Sequence, residues 1–295
     1  MGTVHVVATP IGNLEDITLR ALRVLAEADR IYAEDTRRTR VLLTHHGISG
    51  RAISLHARNE EGRIPEALAQ LDRGESLAIV SDAGTPVVSD PGARLVAAAA
   101  AAGHRVEPIP GPSAALAAIA ASGLRTHPFT FLGFLPRSAG PRRRLLATHL
   151  ARPEALVIFE SPNRVAETLS DLVAVFGGER KACVGRELTK LHEEFVRGSL
   201  DELAKRFSGG IRGEVTLVVE GGEGASPAET LLDDEEVGRR VEGLAEEGRR
   251  PREIAAILAP LSALPRRELY ARAVAAREAQ AGPGPEDDEP KVPAG

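Results

Sequence analysis

Twelve consecutive residues, Ser81-Asp82-Ala83-Gly84-Thr85-Pro86-Val87-Val88-Ser89-Asp90-Pro91-Gly92, combine two Asp, two Gly and two Pro. The aspartates bring negative charge, which suits a cationic or hydroxyl-bearing ligand better than a phosphate. The glycines permit positive φ and close approach of a ligand to the backbone. The prolines stiffen the turn and reduce the entropy lost on binding. Leu77-Ala78-Ile79-Val80 before it reads as a buried strand, and residues 93–102 after it as a helix closed by Gly103. The loop therefore leaves the C-terminal end of a strand, where open α/β sheets place their ligands. Ile109-Pro110-Gly111-Pro112-Ser113 has the same character and also follows a strand. By itself it equally describes a Pro-initiated helix start with Ser113 as a cap.

Charged side chains recur at other strand ends. Glu34-Asp35-Thr36-Arg37 follows Ile31-Tyr32-Ala33, and a solvated helix N-terminus is the competing reading there. Glu160 and Glu187 each follow an apolar strand directly, with Arg164 and Lys190 close behind. Arg137, Arg142, Arg143 and Arg144 form the densest basic cluster. It reads either as a charged solvated loop or as a contact for an RNA backbone, since neutralising phosphates needs only local positive charge. Thr9-Pro10-Ile11-Gly12-Asn13-Leu14-Glu15-Asp16 is a turn-rich loop. It lacks the glycine spacing of dinucleotide folds and of phosphate loops. The eight His show no metal-ligand spacing, and the single Cys183 excludes an internal disulfide framework and a cysteine metal cluster.

The elements that must position these groups alternate. Strands are expected over 3–8, 31–33, 52–55, 77–80 and 105–109, and helices over 17–29 with Asp16 as N-cap, 39–46, 58–73, 93–102 and 113–121. That is the pattern of a parallel or mostly parallel α/β sheet. A second α/β series follows, with strands over 130–134, 155–159, 182–186 and 214–220 and helices after 144, over 162–176 and over 199–207. Residues 229–281 hold three helical stretches separated by Gly248 and Pro265, with Ile254, Ile257, Leu258 and Leu261 at core spacing. The expected domains are 1–112, 113–224, a helical module at 225–281 and a disordered Pro-, Gly- and acid-rich tail at 282–295.

An apolar content of 43% with 27% charged residues describes an ordinary globular chain. The net charge of −5 gives no global basic field, and the acidic excess is partly in the tail at Glu286, Asp287, Asp288 and Glu289. No apolar run approaches the ~18 residues of a membrane span, and the N-terminus has no signal-type pattern. A cytoplasmic location is expected.

Together Val7-Ala8-Thr9-Pro10-Ile11-Gly12-Asn13, Ala33-Glu34-Asp35-Thr36-Arg37, the 81–92 loop, Pro110-Gly111-Pro112-Ser113 and Arg186-Glu187-Leu188-Thr189-Lys190 resemble the tetrapyrrole methylase superfamily, in its branch acting on ribosomal RNA. The resemblance runs over about 3–220, and the helical part has a counterpart there too. It implies a two-domain α/β fold with S-adenosylmethionine in the cleft. It also implies methylation of a cytidine 2′-hydroxyl in the decoding region of small-subunit RNA, no metal, and a homodimer. The donor contacts it implies are Pro10, Gly12 and Asn13, then Asp82, Ala83, Gly84, Thr85 and Pro86, then Pro110, Gly111, Pro112 and Ser113, with Val215 and Thr216 near the adenine. Arg37 is a substrate-side group by the same resemblance. A base would help a 2′-hydroxyl attack, and Asp35, Glu160, Glu187 and Lys190 are all candidates, the Lys only with a depressed pKa. The partner it implies is small-subunit ribosomal RNA or the assembled 30S subunit. Methylation of a tetrapyrrole or a protein by the same fold is the alternative, as is a ribosome-binding protein without catalysis.

Overall fold

The computed structural model describes residues 1–222, 232–259, 262 and 264–281. The chain divides into two compact units, Met1–Gly222 and Glu223–Gly295. In the larger unit, β1 (Thr3–Val7), β2 (Arg30–Ala33), β3 (Ala52–Ser54), β4 (Ser76–Val80) and β5 (Arg105–Ile109) form a sheet in the order β3-β2-β4-β1-β5. All its pairings are parallel. The helices between them are α1 (Leu19–Glu27), α2 (Thr36–His45), α3 (Glu60–Asp72) and α4 (Ala93–Ala101). Side-chain alternation divides β4 between two faces. Ala78 and Val80 pack with Val24, Leu25 and Leu42 of α1 and α2, whereas Leu77 and Ile79 pack with Leu71 and Leu95 of α3 and α4. β1 connects toward β2 and its neighbour β4 toward β5, in opposite directions across the sheet. The crevice at the carboxyl ends of two such strands is the ligand position of open α/β sheets.

The second sheet joins β6 (Phe129–Phe134), β7 (Ala155–Glu160), β8 (Lys181–Arg186), β9 (Glu194–Ser199) and β10 (Val215–Val219) in the order β6-β7-β10-β8-β9. Only β6 and β7 are parallel. One face is covered by α6 (Ala139–Ala147), α7 (Val165–Phe176) and α8 (Leu200–Arg206), around Leu146, Ile158, Leu169, Val184, Leu203 and Leu217. On the other face lies α5 (Ala114–Ser122), whose Ala118 packs with Cys183 and Val218. Ile11, from the loop after β1, joins that same cluster. A loop of the first sheet is thereby built into the core of the second. The boundary expected at 112/113 falls just before α5.

Several local expectations change. α1 is capped by Thr18, whose hydroxyl accepts from Ala21 N at 3.1 Å, and not by Asp16. Asn13 has already captured the preceding residues in a 3-10 turn, Leu14–Asp16, by accepting from Glu15 N at 3.1 Å. α2 begins at Thr36, three residues early, because Asp35 caps it by accepting from Arg37 N at 2.8 Å. β9 is an additional edge strand. Its Glu194, Arg197, Gly198 and Ser199 leave too few apolar residues for periodicity to mark it.

The described part of the smaller unit holds α9 (Asp234–Glu246), α10 (Pro251–Leu258) and α11 (Arg266–Ala281). Val237, Val241, Ile254, Leu258 and Leu269 form its core. Ile257, expected inside, is 42% exposed, because Ile254, Ala255 and Leu258 already fill the inward face of α10. Leu261 and the tail at 282–295 lie outside the described residues. Among the described residues, no helix is long and apolar enough to cross a membrane.

Candidate active site between the two sheets

The 81–92 loop is fixed at both ends. On one side Thr9 and Gly84 exchange backbone hydrogen bonds of 2.9 and 3.0 Å, and Thr9 Oγ1 donates to Ser81 O at 3.2 Å. On the other, Gly92 N, Arg94 N and Leu95 N all donate to one oxygen of Glu60, a buried carboxylate from α3. Thr85 Oγ1 donates to Pro112 O at 3.3 Å and so ties in the loop after β5. Between these anchors Val87 and Ser89 have φ of 74° and 70°. A β-branched residue there is a genuine outlier, costing ~1–3 kcal/mol, and persists only where its surroundings over-determine it. Strain of this kind clusters at ligand sites.

A matching loop comes from the second sheet, where Glu187 and Thr189 also have positive φ. Thr189 Oγ1 accepts from Asn13 N at 3.0 Å. A β-carbon on Gly12 would lie 2.5 Å from Lys190 Cγ and 2.7 Å from Thr189 Oγ1. Gly12 and Asn13, expected to touch the donor, thus form a clasp between the two loops. Lys190 Nζ is held 2.9 Å from both Glu187 and Glu214. Burial pulls its pKa down, but these two carboxylates outweigh that and raise it. Glu187 is held below the usual carboxylate range, first by the Glu214 N–H and then by Lys190. The ammonium is therefore stabilised, the opposite of what a base requires.

These loops border a cleft of about 380 Å3. Of the expected residues, Asp82, Ala83, Gly84, Thr85, Ser113, Val215, Thr216 and Glu160 line it. Pro10 lines an adjoining depression with Arg38 and Asp82. Gly111 packs behind, where a β-carbon would meet Ala8 Cβ at 3.0 Å, and Pro86 is buried. Pro110, Pro112, Asp35, Arg37, Glu187 and Lys190 are not on the wall. Sequence reasoning missed Ile11, Leu188, Phe134 and Phe159, which make much of the apolar wall, and Arg38 and Asp90. Phe159 stacks edge-to-face with Phe131 and Phe134 at 4.8 and 5.8 Å.

The charged groups divide by partner. Asp35 is committed to Arg37, 2.7 Å away, whose hydrogen bonds hold its carboxyl well below the usual range. Its N–H donates to Asp82 Oδ1 at 2.8 Å, which orients that carboxylate into the cleft. Glu160 is 2% exposed, and both oxygens are used, by Ser161 N at 2.8 Å and Thr168 Oγ1 at 2.6 Å. Arg164 lies 3.4 Å from it and donates to the carbonyls of Leu135 and Pro136, next to Phe134. Asp90 differs. Burial and then the charge of Glu34 push its carboxyl up to about 6, against a hydrogen bond from Ser81. Glu34 is itself raised, by burial and then by Asp82.

The basic cluster needs correction. Arg142 is 2% exposed, bonded to Asp171 at 2.6 Å and to Arg137 O at 3.1 Å. A side chain so enclosed holds α6 to α7 and cannot reach a phosphate. Arg143 also binds Asp171, from a half-exposed position. Arg137 and Arg144 alone of the cluster are open to solvent without an ion pair among the described residues.

Two sheets closing strained loops around one cleft define a class, and sequence comparison agrees with it. The chain belongs to the tetrapyrrole (corrin/porphyrin) methylase family, whose sequence profile matches residues 3–204. Within that family it is 45% identical to ribosomal RNA small subunit methyltransferase I of Xylella fastidiosa, over 91% of this chain and 98% of that one. It is 50% identical to the protein of the same name from Mesorhizobium japonicum, over 78% and 77%. Among solved structures, the fold is similar to uroporphyrin-III C-methyltransferase from Thermus thermophilus, with TM-score 0.55, 22% identity and coverage of 74% and 94%. It is also similar to diphthine synthase, with TM-score 0.58, 18% identity and coverage of 74% and 90%.

Proposed function

We propose that this chain transfers the methyl group of S-adenosylmethionine to the 2′-oxygen of a cytidine in the decoding region of small-subunit ribosomal RNA. The observation that carries the reading is its 45% identity to a relative of that name over nearly the full length of both chains. The cleft fits the donor. Ile11, Leu188, Phe134 and Phe159 offer apolar surface to a base, and Thr85, Ser113 and Thr216 offer hydroxyls. Asp82 offers a carboxylate to a cation or a ribose. Gly84 has φ of 82°, a conformation that residues with a side chain rarely adopt, and a β-carbon there would crowd Ile11 Cγ2 at 3.3 Å.

When bound, the donor supplies an electrophilic methyl carbon on a sulfonium. A ribose 2′-oxygen would displace the sulfonium in line, the C–O bond forming as the C–S bond breaks and the C–S electron pair leaving with sulfur. The chain must align the hydroxyl, which supplies much of the rate, and accept its proton. We assign the acceptor role to Asp90. It lines the cleft, has no cation partner among the described residues, and binds a proton near neutrality. Glu160 positions Ser161 and Arg164, and Asp35 and the Glu187–Lys190 pair hold loops.

This reading makes the small-subunit RNA, free or in the 30S particle, the partner, and the cytoplasm its place of action. A homodimer belongs to the same reading, as the family resemblance implies. The test is to incubate the protein and S-adenosylmethionine with 30S subunits and with RNA from cells lacking the protein, then map nuclease fragments by mass. One added methyl group on a cytidine ribose is expected. Unmodified RNA from both substrates, with a tetrapyrrole methylated instead, would overturn the assignment.

A further inference from the structure

In the helical unit, α10 and α11 enclose a depression of about 350 Å3 lined by Arg252, Ala255, Arg266, Arg267 and Tyr270. Arg252 is the second residue of α10, and Arg266 and Arg267 are the first two of α11. Three guanidinium groups thus occupy first turns, where the helix macrodipole opposes positive charge. Folding does not require them there, because all three are exposed and the core is made by other residues. Nor are they neutralised by their neighbours. Among the described residues none of the three forms an ion pair, while the adjacent acids are engaged elsewhere. Glu253 accepts from Arg250 N at 3.1 Å, Glu268 from Arg272 at 3.0 Å, and Asp234 pairs with Arg272 at 2.8 Å. Tyr270 stands one turn after Arg266 and is 48% exposed, which gives the depression an aromatic ring beside its cations.

Guanidinium groups pair bidentately with phosphate oxygens. Exposed aromatic rings carry bases. Cationic grooves with stacking platforms are how single strands are held without sequence preference. We propose that this depression is a subsite for single-stranded RNA, with backbone phosphates on Arg252, Arg266 and Arg267 and one base on Tyr270. The inference rests on the reading that the chain acts on ribosomal RNA, and assigns to the helical unit the grip on that substrate.

The test uses the full-length protein and fluorescence anisotropy with a labelled single-stranded oligoribonucleotide across a salt series. Replacing Arg252, Arg266 and Arg267 together by Ala should weaken binding and flatten the plot of log affinity against log salt by about 2, at roughly 0.7 for each phosphate no longer neutralised. Tyr270→Ala should weaken binding about fivefold or more at every salt concentration with the slope unchanged, and Tyr270→Phe should bind like the parent. Arg277→Ala, on the same helix outside the depression, should change nothing. S-adenosylhomocysteine affinity should be the same in every variant. A correctly folded triple variant with the parent's affinity and slope would overturn the proposal, as would a parent that does not bind the strand. If the triple variant loses the slope while the parent methylates no RNA, the subsite stands and the proposed reaction falls. Methylation with an unaltered slope gives the opposite result.

Discussion

Asp90 in the cleft and Asp171 on α7 are the same side chain in opposite electrical surroundings. Burial pushes both carboxyls up. At Asp171 hydrogen bonds from Arg143 and Arg142 outweigh it and hold the group low, whereas at Asp90 the charges of Glu34 and Asp82 add to it. One region spends its arginines on its own carboxylate and becomes a strut. The other leaves Asp90 without a cation, and the group remains reactive. The fate of a charged residue is thus set by whether the fold supplies a counter-charge, and a run of like residues in sequence does not reveal that.

Breaking the strut should give the largest effect. Arg142→Ala leaves Asp171 buried with its inner partner gone, and breaking such a pair costs about 3–5 kcal/mol. Urea unfolding should move by that amount, with S-adenosylhomocysteine affinity of the remaining folded protein unchanged. A loss below about 1 kcal/mol would mean that Asp171 is satisfied without Arg142, and the contrast with Asp90 would fail.

The converse change is Asp90→Asn. If Asp90 accepts the hydroxyl proton, kcat should fall about a hundredfold or more, and the acidic limb of the pH profile near 6 should vanish with it. Stability moves the other way. A carboxyl raised from its unfolded value stabilises the fold most when protonated, and that contribution is lost as pH rises toward about 6. Asp90→Asn should therefore melt higher than the parent at pH 7.5, with the difference closing toward pH 4. Asp171 has the opposite sign, because its contribution is present at neutral pH and is lost only as acid protonates it below the usual carboxylate range. Equal melting of Asp90→Asn and parent at both pH values would remove the distinction.

Gly84→Val tests the cleft without touching a charge. The residue has φ of 82°, and its β-carbon would meet Ile11 Cγ2. Donor-product affinity should fall at least about tenfold, or about 1.4 kcal/mol. Titration calorimetry on folded variant with parental affinity would move the donor off this wall.

What could be read beforehand follows the same division. The strands β1, β4 and β7 are apolar-rich runs bounded by Gly, Pro and charged residues, so their loops could be assigned to the ligand end of a sheet. Local chemistry was less legible where two signals competed, as at Asp16 and Thr18, both able to cap α1. Glu60 was invisible as the pin of the 81–92 loop, because a helical Glu resembles any solvated one until α4 is brought against it. Phe134 and Phe159 lie one on each of two paired strands, and only the register of β6 with β7 makes them one wall. Arg142 and Arg144 cannot be told apart from sequence. One turns toward Asp171, 29 residues on, and the other turns out.

The smallest effect is expected at Arg137 and Arg144, the solvent-facing remainder of the basic cluster. Neither supports the fold, so Arg137→Ala and Arg144→Ala should each change stability by less than about 0.5 kcal/mol. If these two do meet RNA phosphates, each substitution should reduce the salt slope of RNA binding by about 0.7–0.9. Arg142→Ala measures the same quantity on the strut. Its guanidinium is already paired with Asp171, so it has no counterion to release when RNA arrives, and the slope of its folded fraction should match the parent's. A slope that fell with Arg142→Ala and not with Arg144→Ala would mean that RNA draws Arg142 out of its buried pair. The strut would then be a latch that the substrate opens.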